Sequence, residues 1–240
     1  MSKENLILVT GWSFGPESLR HLTRALPDCD TQVLNHGPLA AKGNLASLFP
    51  CSNYARGLLT VLDQYPEPCW LGGWSMGGMI ALEAAAQMPR LVKGLILINT
   101  TAKFASDDYY VYGVPPFELQ SMARRFKKDH RTALRRFYSS VAKPFGPDIA
   151  YVPEWTETMQ NGLIYLEKAD LRKAAKNIDL PALVLHGQDD AVIPVMGGEY
   201  LAKLLKNSKT KTYYGVGHDL PLRKSQAVAK EITEFMQAHP

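Results

Sequence analysis

Short apolar runs recur along the chain, and segments with apolar residues at helical spacing separate them. The candidate strands are residues 6–9, 32–35, the run leading into Trp74, 94–99, 183–187 and, at an edge, 211–214; a loop is expected after residue 35. The candidate helices are residues 16–26, 54–62, 79–87, 198–205 and 225–237. Short, wholly apolar strands are typical of a parallel sheet buried on both faces. The alternation therefore predicts an α/β fold, with a mainly parallel sheet flanked by helices.

One long segment interrupts this alternation. Between Asn99 and Pro181 the sequence contains no convincing strand, only helical material with several prolines. We expect this segment to lie over the sheet as an insertion rather than to form a separate domain. The prediction is a single domain over residues 1–240, with a helical lid inserted at about residues 101–165.

The stretch ahead of the third candidate helix carries the clearest chemical signal. Gly73, Ser75 and Gly77 form a G-x-S-x-G pattern between a candidate strand and an alanine-rich helix. A strand that turns into a helix within so few residues holds its serine in a strained backbone conformation, and the flanking positions then need glycine. Such a turn presents a nucleophilic hydroxyl at the edge of the sheet. The alternative is an ordinary glycine-rich turn between strand and helix.

A serine hydroxyl becomes an effective nucleophile only when a base accepts its proton, and a carboxylate must orient that base. His218 lies in a glycine-containing turn after the last candidate strand, where its ring can reach the serine. His130 lies in a basic helix, His186 ends a buried strand, and His239 stands beside the C-terminus. We therefore predict His218 as the base and a structural role for His186.

The carboxylate should follow the penultimate strand, where Asp189 and Asp190 are adjacent. Neighbouring side chains in a turn diverge, so only one of the two can reach the imidazole. On the residues alone, both aspartates stay open. An oxyanion also needs two N–H donors, which we expect from the backbones of Met76 and Trp12. This chemistry requires neither a metal nor a cofactor, and we expect none.

With these elements the sequence resembles the α/β-hydrolase superfamily over nearly its whole length. Within the superfamily it resembles most closely the pimeloyl-[acyl-carrier protein] methyl ester esterases of biotin synthesis. The resemblance rests on Gly11-Trp12 after the first strand, on residues 70–78 around the serine, and on residues 161–194. The resemblance implies the α/β-hydrolase fold and ester hydrolysis.

The resemblance also implies a set of site residues. In the family the acid stands three residues after a glycine and four before a proline, which favours Asp190 and leaves Asp189 as the alternative. The acyl chain would lie beside the serine and under the lid. The residues implied around it are Trp12, Ser75, Met76 and His218, with the lid residues Phe137, Tyr138 and Val141.

The composition narrows the class of protein and its compartment. The chain has 240 residues, three cysteines and a formal net charge of +4. Three cysteines without metal-ligand spacing argue against a disulfide framework and favour a reducing cytoplasm. The first residues lack an apolar signal core, and no apolar run approaches the length of a membrane span. We expect a cytoplasmic monomer that binds neither membranes nor nucleic acid.

Residues 117–143 concentrate the positive charge of the chain. They hold eight basic residues against two acidic ones, so the remainder is slightly acidic. If the segment is one helix, most of its apolar residues share one face. The opposite face then carries Arg124, Lys128, Arg131 and Arg135. One interpretation is a solvated helix with an accidental charge run; the other is a docking surface for an acidic acyl-carrier protein.

These features together predict a serine esterase in which His218 deprotonates Ser75 for attack on an acyl ester. The expected substrate is the methyl ester of pimeloyl-[acyl-carrier protein]. Two alternatives stay open. One is a broad short-chain carboxylesterase or lactonase with the same triad, and the other is a non-catalytic binding protein on a hydrolase scaffold.

Overall fold

The computed structural model of the protein describes residues 3–43, 51–146 and 156–239. Its strands are β1 (Glu4–Val9), β2 (Cys29–Leu34), β3 (Cys69–Trp74), β4 (Val92–Ile98), β5 (Pro181–Gly187) and β6 (Asn207–Tyr213). They form one six-stranded sheet in the order β2-β1-β3-β4-β5-β6, and every neighbouring pair is parallel. The predicted fold class, a parallel sheet flanked by helices, is confirmed.

Helices connect these strands and cover both faces of the sheet. In the described ranges they are α1 (Arg20–Arg24), α2 (His36–Gly43), α3 (Asn53–Leu62), α4 (Met76–Gln87), α5 (Pro116–Lys128), α6 (His130–Val141), α7 (Glu157–Lys168), α8 (Arg172–Asn177), α9 (Val195–Leu204), α10 (Leu220–Arg223) and α11 (Ser225–Gln237). The five helices predicted from the sequence are all present, with ends that differ by a few residues.

Side chains of the central strands alternate between two buried clusters, one on each face of the sheet. Leu6 and Leu8 of β1 belong to the cluster that includes residues of α1 and α11, whereas Ile7 and Val9 belong to the cluster that includes α3 and α4. Successive side chains of a strand point to opposite faces, so a wholly apolar strand fills both clusters. Strand β6 is mostly exposed and carries lysines, as suits an edge strand.

Residues 36–43 are helical, so the expectation of a loop directly after β2 is wrong; residues 44–50 lie outside the described residues. The Asn35 side chain accepts a hydrogen bond from the Gly37 N–H (2.9 Å) and caps the first turn of α2. Gly57 of α3 lets the two helices touch, because a Cβ there would lie 1.9 Å from the carbonyl oxygen of Leu39. Packing against α3 therefore overrides the poor helix propensity of the glycine and proline in α2.

The segment between β4 and β5 contains α5 to α8, and its described part holds only isolated bridges in place of strands. The basic segment is not one continuous helix, because the backbone leaves the helical region at Asp129 (φ −152°, ψ 86°). The Asp129 carboxylate accepts a hydrogen bond from the Thr132 N–H and caps α6. The predicted docking residues are thereby divided into two pairs, Arg124 and Lys128 on α5 and Arg131 and Arg135 on α6. Residues 147–155 of the predicted lid lie outside the described residues.

The two ends of this inserted segment lie side by side. The Leu171 N–H donates to the carbonyl oxygen of Ala102 (2.8 Å), and Lys103 forms an isolated antiparallel bridge with Asp170. A 2.6 Å hydrogen bond from Arg172 to Asp170 lowers the pKa of that carboxyl group to about 2. The segment therefore leaves and rejoins the sheet at one place. We call this place the neck; it comprises Ala102, Lys103, Asp170, Leu171 and Arg172.

His36 makes the stability of the protein depend on pH. Its ring is almost fully buried, packs against Tyr54, and has its pKa lowered from 6.5 to about 4 by burial. The unfolded chain takes up a proton near pH 6.5 and the folded chain only near pH 4, so stability present above pH 6.5 is lost as the pH falls between these values. This loss amounts to roughly 3 kcal/mol of the free energy of unfolding. We expect His36→Phe, which keeps an aromatic ring, to remove it.

The measurement is the free energy of unfolding in urea, followed from neutral pH down to the pKa of the buried ring. His21→Gln, at an exposed position, is the control and should keep the slope of the parent protein. An unchanged slope in His36→Phe would assign the pH dependence to another group.

Candidate active site

Ser75 stands between the end of β3 and the start of α4 in a left-handed backbone conformation (φ 59°, ψ −125°). The chain can reverse here only because its neighbours lack side chains. A Cβ at Gly73 would lie 2.3 Å from the carbonyl carbon of Gly77, and a Cβ at Gly77 would lie 2.1 Å from the carbonyl oxygen of Val9. The G-x-S-x-G pattern thus corresponds to a tight turn pressed against β1.

Hydrogen bonds from neighbouring elements hold this turn in place. The Ser75 N–H donates to the carbonyl oxygen of Ile98 at the end of β4 (2.9 Å). The Thr100 hydroxyl donates to the carbonyl oxygen of Ser75 (2.7 Å). Ser75 is only 7% exposed, so a substrate must pass between the surrounding residues to reach its hydroxyl. A nucleophile in this position has little freedom to move.

The structure brings Ser75, His218 and Asp190 into one hydrogen-bonded chain. His218 Nδ1 lies 2.8 Å from Asp190 Oδ2, and His218 Nε2 lies 2.9 Å from Ser75 Oγ. A carboxylate beside Nδ1 selects the tautomer with its proton on Nδ1, which leaves Nε2 as the acceptor for the serine hydroxyl. The indole N–H of Trp74 donates to the carbonyl oxygen of His218 (2.8 Å). This hydrogen bond fixes the turn that carries His218, which we call the histidine turn.

Asp190 is buried, and N–H groups surround its carboxylate. The Val192 and Ile193 N–H groups both donate to Oδ1 at 2.8 Å. Burial alone would raise the pKa of Asp190; the charge of His218 and the hydrogen bonds from His186 and His218 outweigh it and hold the pKa well below its usual range. The carboxylate therefore stays ionised in moderately acidic solution.

Asp189, the alternative acid, lies differently. Its side chain is exposed, and its N–H donates to the carbonyl oxygen of Val216 (3.1 Å). The two adjacent aspartates diverge, as expected of neighbours in a turn, and the one beside the imidazole is Asp190.

Two residues at this site were not singled out as functional from the sequence. Asn99 Nδ2 donates to Asp190 Oδ2 (2.6 Å), and His186 Nε2 lies 3.3 Å from the same oxygen. His186 makes its shorter hydrogen bond, 2.9 Å, with the carbonyl oxygen of Ile193. A polar residue directly after a wholly apolar parallel strand, as Asn99 is, lies at the sheet edge where sites of α/β proteins form. That position was the one available signal for Asn99.

The two predicted oxyanion donors lie on elements that meet at Ser75. Met76 is the first residue of α4, and the first N–H groups of a helix have no acceptor within the helix. Trp12 follows Gly11, where a Cβ would lie 3.3 Å from Ser75 Cβ. The backbone ahead of Trp12 therefore passes directly beside the serine.

The inserted helices pack against the side chain of Trp12. Phe126 of α5 and Phe137 of α6 contact the indole edge-on, with centroids 5.1 and 5.0 Å away. The indole N–H donates to the carbonyl oxygen of Met159 in α7 (2.8 Å). A Cβ at Gly162 would lie 2.6 Å from the indole, so α7 approaches it through its backbone. One side chain thus contacts α5, α6 and α7.

The predicted lid residues make different contacts. The Tyr138 hydroxyl donates to the carbonyl oxygen of Ser13 (3.2 Å), in the loop after β1. Val141 is buried in the cluster that contains Val216 and Leu220, on the side of the histidine turn. Of the three, Phe137 packs edge-on against Trp12.

An apolar cavity of about 300 Å³ lies between α5, α6 and the loop that carries Asp190. Phe137 lines this cavity as well as contacting Trp12, and Val192 lines it from the acid loop. Other apolar walls are Phe104, Val114, Leu119, Met122 and Ala133, while Arg125 and Arg136 contribute their side chains.

Within the three described ranges, no group of three or more His, Cys, Asp or Glu side chains is arranged to hold a metal ion. The same part of the chain contains no helix that is long and apolar enough to cross a membrane. The three cysteines are free thiols.

Residues 6–231 match the alpha/beta hydrolase family. The chain therefore belongs to this family, and the predictions of the superfamily and of a hydrolase are confirmed. Among its relatives, the pimeloyl-[acyl-carrier protein] methyl ester esterase of Neisseria meningitidis serogroup B is 26% identical over 98% of this chain and 93% of its own length. The esterase of the same name from Xanthomonas oryzae pv. oryzae is 30% identical over 73% of either chain. The closer resemblance inferred from the sequence is thus also confirmed.

Solved structures agree with the fold. An esterase from Exiguobacterium antarcticum superimposes with a TM-score of 0.85 at 19% identity, over 98% of this chain and 92% of its own. A bromoperoxidase from Bacillus anthracis has a TM-score of 0.83 at 17% identity, over the same shares. These two proteins share the fold but are named for different activities, so the fold by itself does not determine the reaction.

A Cβ at Gly77 would overlap backbone atoms of β1, so Gly77→Ala must push α4 and the serine turn away from the sheet. Displacement of a reacting group by about 1 Å costs roughly 10²-fold in rate. We expect a loss of at least this size in the rate at which a fluorophosphonate probe labels Ser75. Gly15→Ala is the control, because its Cβ would meet only the flexible Glu17 carboxylate. Labelling of Gly77→Ala at the parental rate would contradict this account of the turn.

Proposed function

We propose that the protein is a serine carboxylesterase that hydrolyses the methyl ester of pimeloyl-[acyl-carrier protein]. The observation that carries the chemistry is the hydrogen-bonded chain from Ser75 Oγ through His218 to Asp190. Hydroxyl, imidazole and buried carboxylate in this order make the nucleophile, base and orienting acid of a serine hydrolase. The names of the relatives support the substrate class.

The proposed reaction proceeds in two halves. His218 Nε2 takes the hydroxyl proton as Ser75 Oγ attacks the ester carbonyl, and Asp190 stabilises the imidazolium. The N–H groups of Met76 and Trp12 hold the negative oxygen of the tetrahedral intermediate. His218 then returns the proton to the leaving methanol. In the second half a water molecule, deprotonated by His218, attacks the acyl-enzyme and releases the free acid.

The cavity lined by Phe137 and Val192 is the proposed site of the acyl chain. It is largely apolar, and Phe137, which lines it, also packs against Trp12, the residue that follows Gly11 beside the serine turn. Helices α5 to α7 act as the lid over this chain in the proposal, with Trp12 as their shared contact. Such a substrate has a methyl ester at one end and a thioester to the carrier at the other. Hydrolysis is confined to the methyl ester if that end lies at Ser75 and the thioester points outward.

The proposed docking surface consists of Arg124, Lys128, Arg131 and Arg135, all of which are exposed. The break at Asp129 changes its shape from one helical face to two short helices. Clustered positive charge on a lid would steer an acidic carrier protein and orient its arm toward the cavity. This attraction should weaken as salt screens the charges.

A broad short-chain carboxylesterase or lactonase is the second candidate. It would use the same three residues, and the small volume of the cavity favours it over an enzyme for bulky esters. This candidate predicts equal efficiency on carrier-bound and free esters, whereas the proposed function predicts a preference for the carrier-bound ester. A side-by-side assay of both substrates separates them.

Ser75→Ala removes the nucleophile and leaves the fold intact, because alanine differs from serine only by the hydroxyl. We expect hydrolysis of pimeloyl-[acyl-carrier protein] methyl ester to fall by at least ~10³-fold. Loss of fluorophosphonate labelling, with an unchanged circular dichroism spectrum, is the matched observation. Hydrolysis by Ser75→Ala at the parental rate would refute the mechanism. A parent protein that the fluorophosphonate probe does not label would favour a non-catalytic binding role.

Charge reversal of Arg124, Arg131 and Arg135 to glutamate tests the docking surface. We expect KM for the carrier-bound ester to rise roughly tenfold or more, because each charge pair across such an interface contributes to encounter and orientation. KM for a free p-nitrophenyl ester should stay unchanged. Reversal of Lys203, Lys206 and Lys230, which are exposed elsewhere, is the matched control for net charge. Equal effects on both substrates would refute the docking surface.

A further inference from the structure

Asn99 has no part in the reaction steps proposed above, yet it contacts the residues that carry them out. It follows β4, the strand between β3, which leads to Ser75, and β5, which leads to Asp190. The residue is fully buried. Its Nδ2 donates both to Asp190 Oδ2 (2.6 Å) and to the carbonyl oxygen of Gly217 (2.9 Å). Gly217 precedes His218, so a single amide group joins the acid to the histidine turn.

The backbone of Asn99 is also unusual. Its φ of 45° lies in the left-handed region, which asparagine adopts more readily than most residues other than glycine. Its N–H donates to the carbonyl oxygen of Leu185 (2.8 Å), and the next residue, Thr100, bonds the carbonyl oxygen of Ser75. Residues 99 and 100 therefore contact the strand of the acid, the histidine turn and the serine turn together.

The amide shares its acceptor with the imidazole. Asp190 Oδ2 faces His218 Nδ1 at 2.8 Å and Asn99 Nδ2 at 2.6 Å, with His186 Nε2 farther away at 3.3 Å. Each donor that satisfies a carboxylate oxygen reduces the attraction left for the others. A neutral amide in this position therefore weakens the hold of Asp190 on a protonated His218.

We propose that Asn99 is a positioning residue that fixes Asp190 against the histidine turn and limits how strongly this acid stabilises the imidazolium. The inference rests on the triad of the proposed function, but on no particular substrate. Without the amide, the imidazolium of His218 persists to higher pH. The neutral imidazole that acts as the base then forms only at that higher pH. The acid limb of the kcat/KM profile then moves to higher pH, while KM for a small ester stays constant because Asn99 contacts no substrate.

The other groups around His218 are the same in every variant. Asp219 adjoins it in the chain and is paired with Arg223, while His186 reaches it only through Asp190. The Ser75 hydroxyl faces Nε2. A shift of the acid limb on substitution of Asn99 is therefore attributable to the lost amide.

Two variants separate the amide from the backbone. Asn99→Gly removes the amide and accepts the left-handed conformation, whereas Asn99→Ala removes the amide and strains the backbone. Thr101→Val is the control: Thr101 is equally buried and bonds Tyr110 and the Lys103 carbonyl, so it tests for a general loss of stability. The readouts are the pH dependence of kcat/KM on p-nitrophenyl butyrate and the pH dependence of fluorophosphonate labelling.

In both Asn99 variants we expect the acid limb of both profiles to move to higher pH by about half a unit or more. We expect kcat to be lower and KM to be unchanged. Thr101→Val should lower the melting temperature and leave the profiles alone. Parental profiles in Asn99→Gly overturn the inference, whether Asn99→Ala is impaired or not. A parent that labels but fails to hydrolyse the carrier-bound ester overturns the proposed substrate alone; a parent that does not label overturns the triad and this inference together.

Discussion

The site depends on how closely three pieces of backbone approach one another around Ser75. The serine turn touches β1 through Gly77, its own strand end through Gly73, and the loop after β1 through Gly11. Any side chain at these places would separate the elements. Because the sheet and α4 fix the turn, the direction of the serine hydroxyl follows from the packing of the whole domain. A nucleophile supported in this way needs no ordering when a substrate arrives.

A buried negative charge is the second constraint. A carboxylate in an apolar interior is unfavourable unless N–H groups and an opposite charge compensate for the lost water. Asp190 meets this condition partly through two backbone N–H groups of the loop that it begins, which donate to Oδ1. The remaining donors come from three different elements. The acid is therefore both held and oriented by donors from several parts of the fold.

Local patterns in the sequence were sufficient for most of the fold and for the residues with the most distinctive surroundings. The apolar strands, the helix after the serine, and the positions of Ser75 and His218 all follow from short-range signals. Asn99 could not be assigned in this way, because its partners are 91 and 118 residues away in the chain. The split of the basic segment at Asp129 was missed because the charge pattern continues across it. Helix α2 was missed because α3, not its own residues, stabilises it.

The neck separates the segment inserted between Ala102 and Leu171 from the sheet and its other helices. A segment whose ends are joined by a 2.8 Å backbone hydrogen bond can be lengthened, shortened or exchanged without altering the register of the strands it interrupts. Trp12, which contacts three of the inserted helices, is one point at which a new segment must fit the rest of the fold. If the inserted helices bind the acyl chain as proposed, substitutions there change the accepted substrate while the reacting groups stay constant. Grafting a relative's segment between Ala102 and Leu171 would show whether this segment sets the substrate.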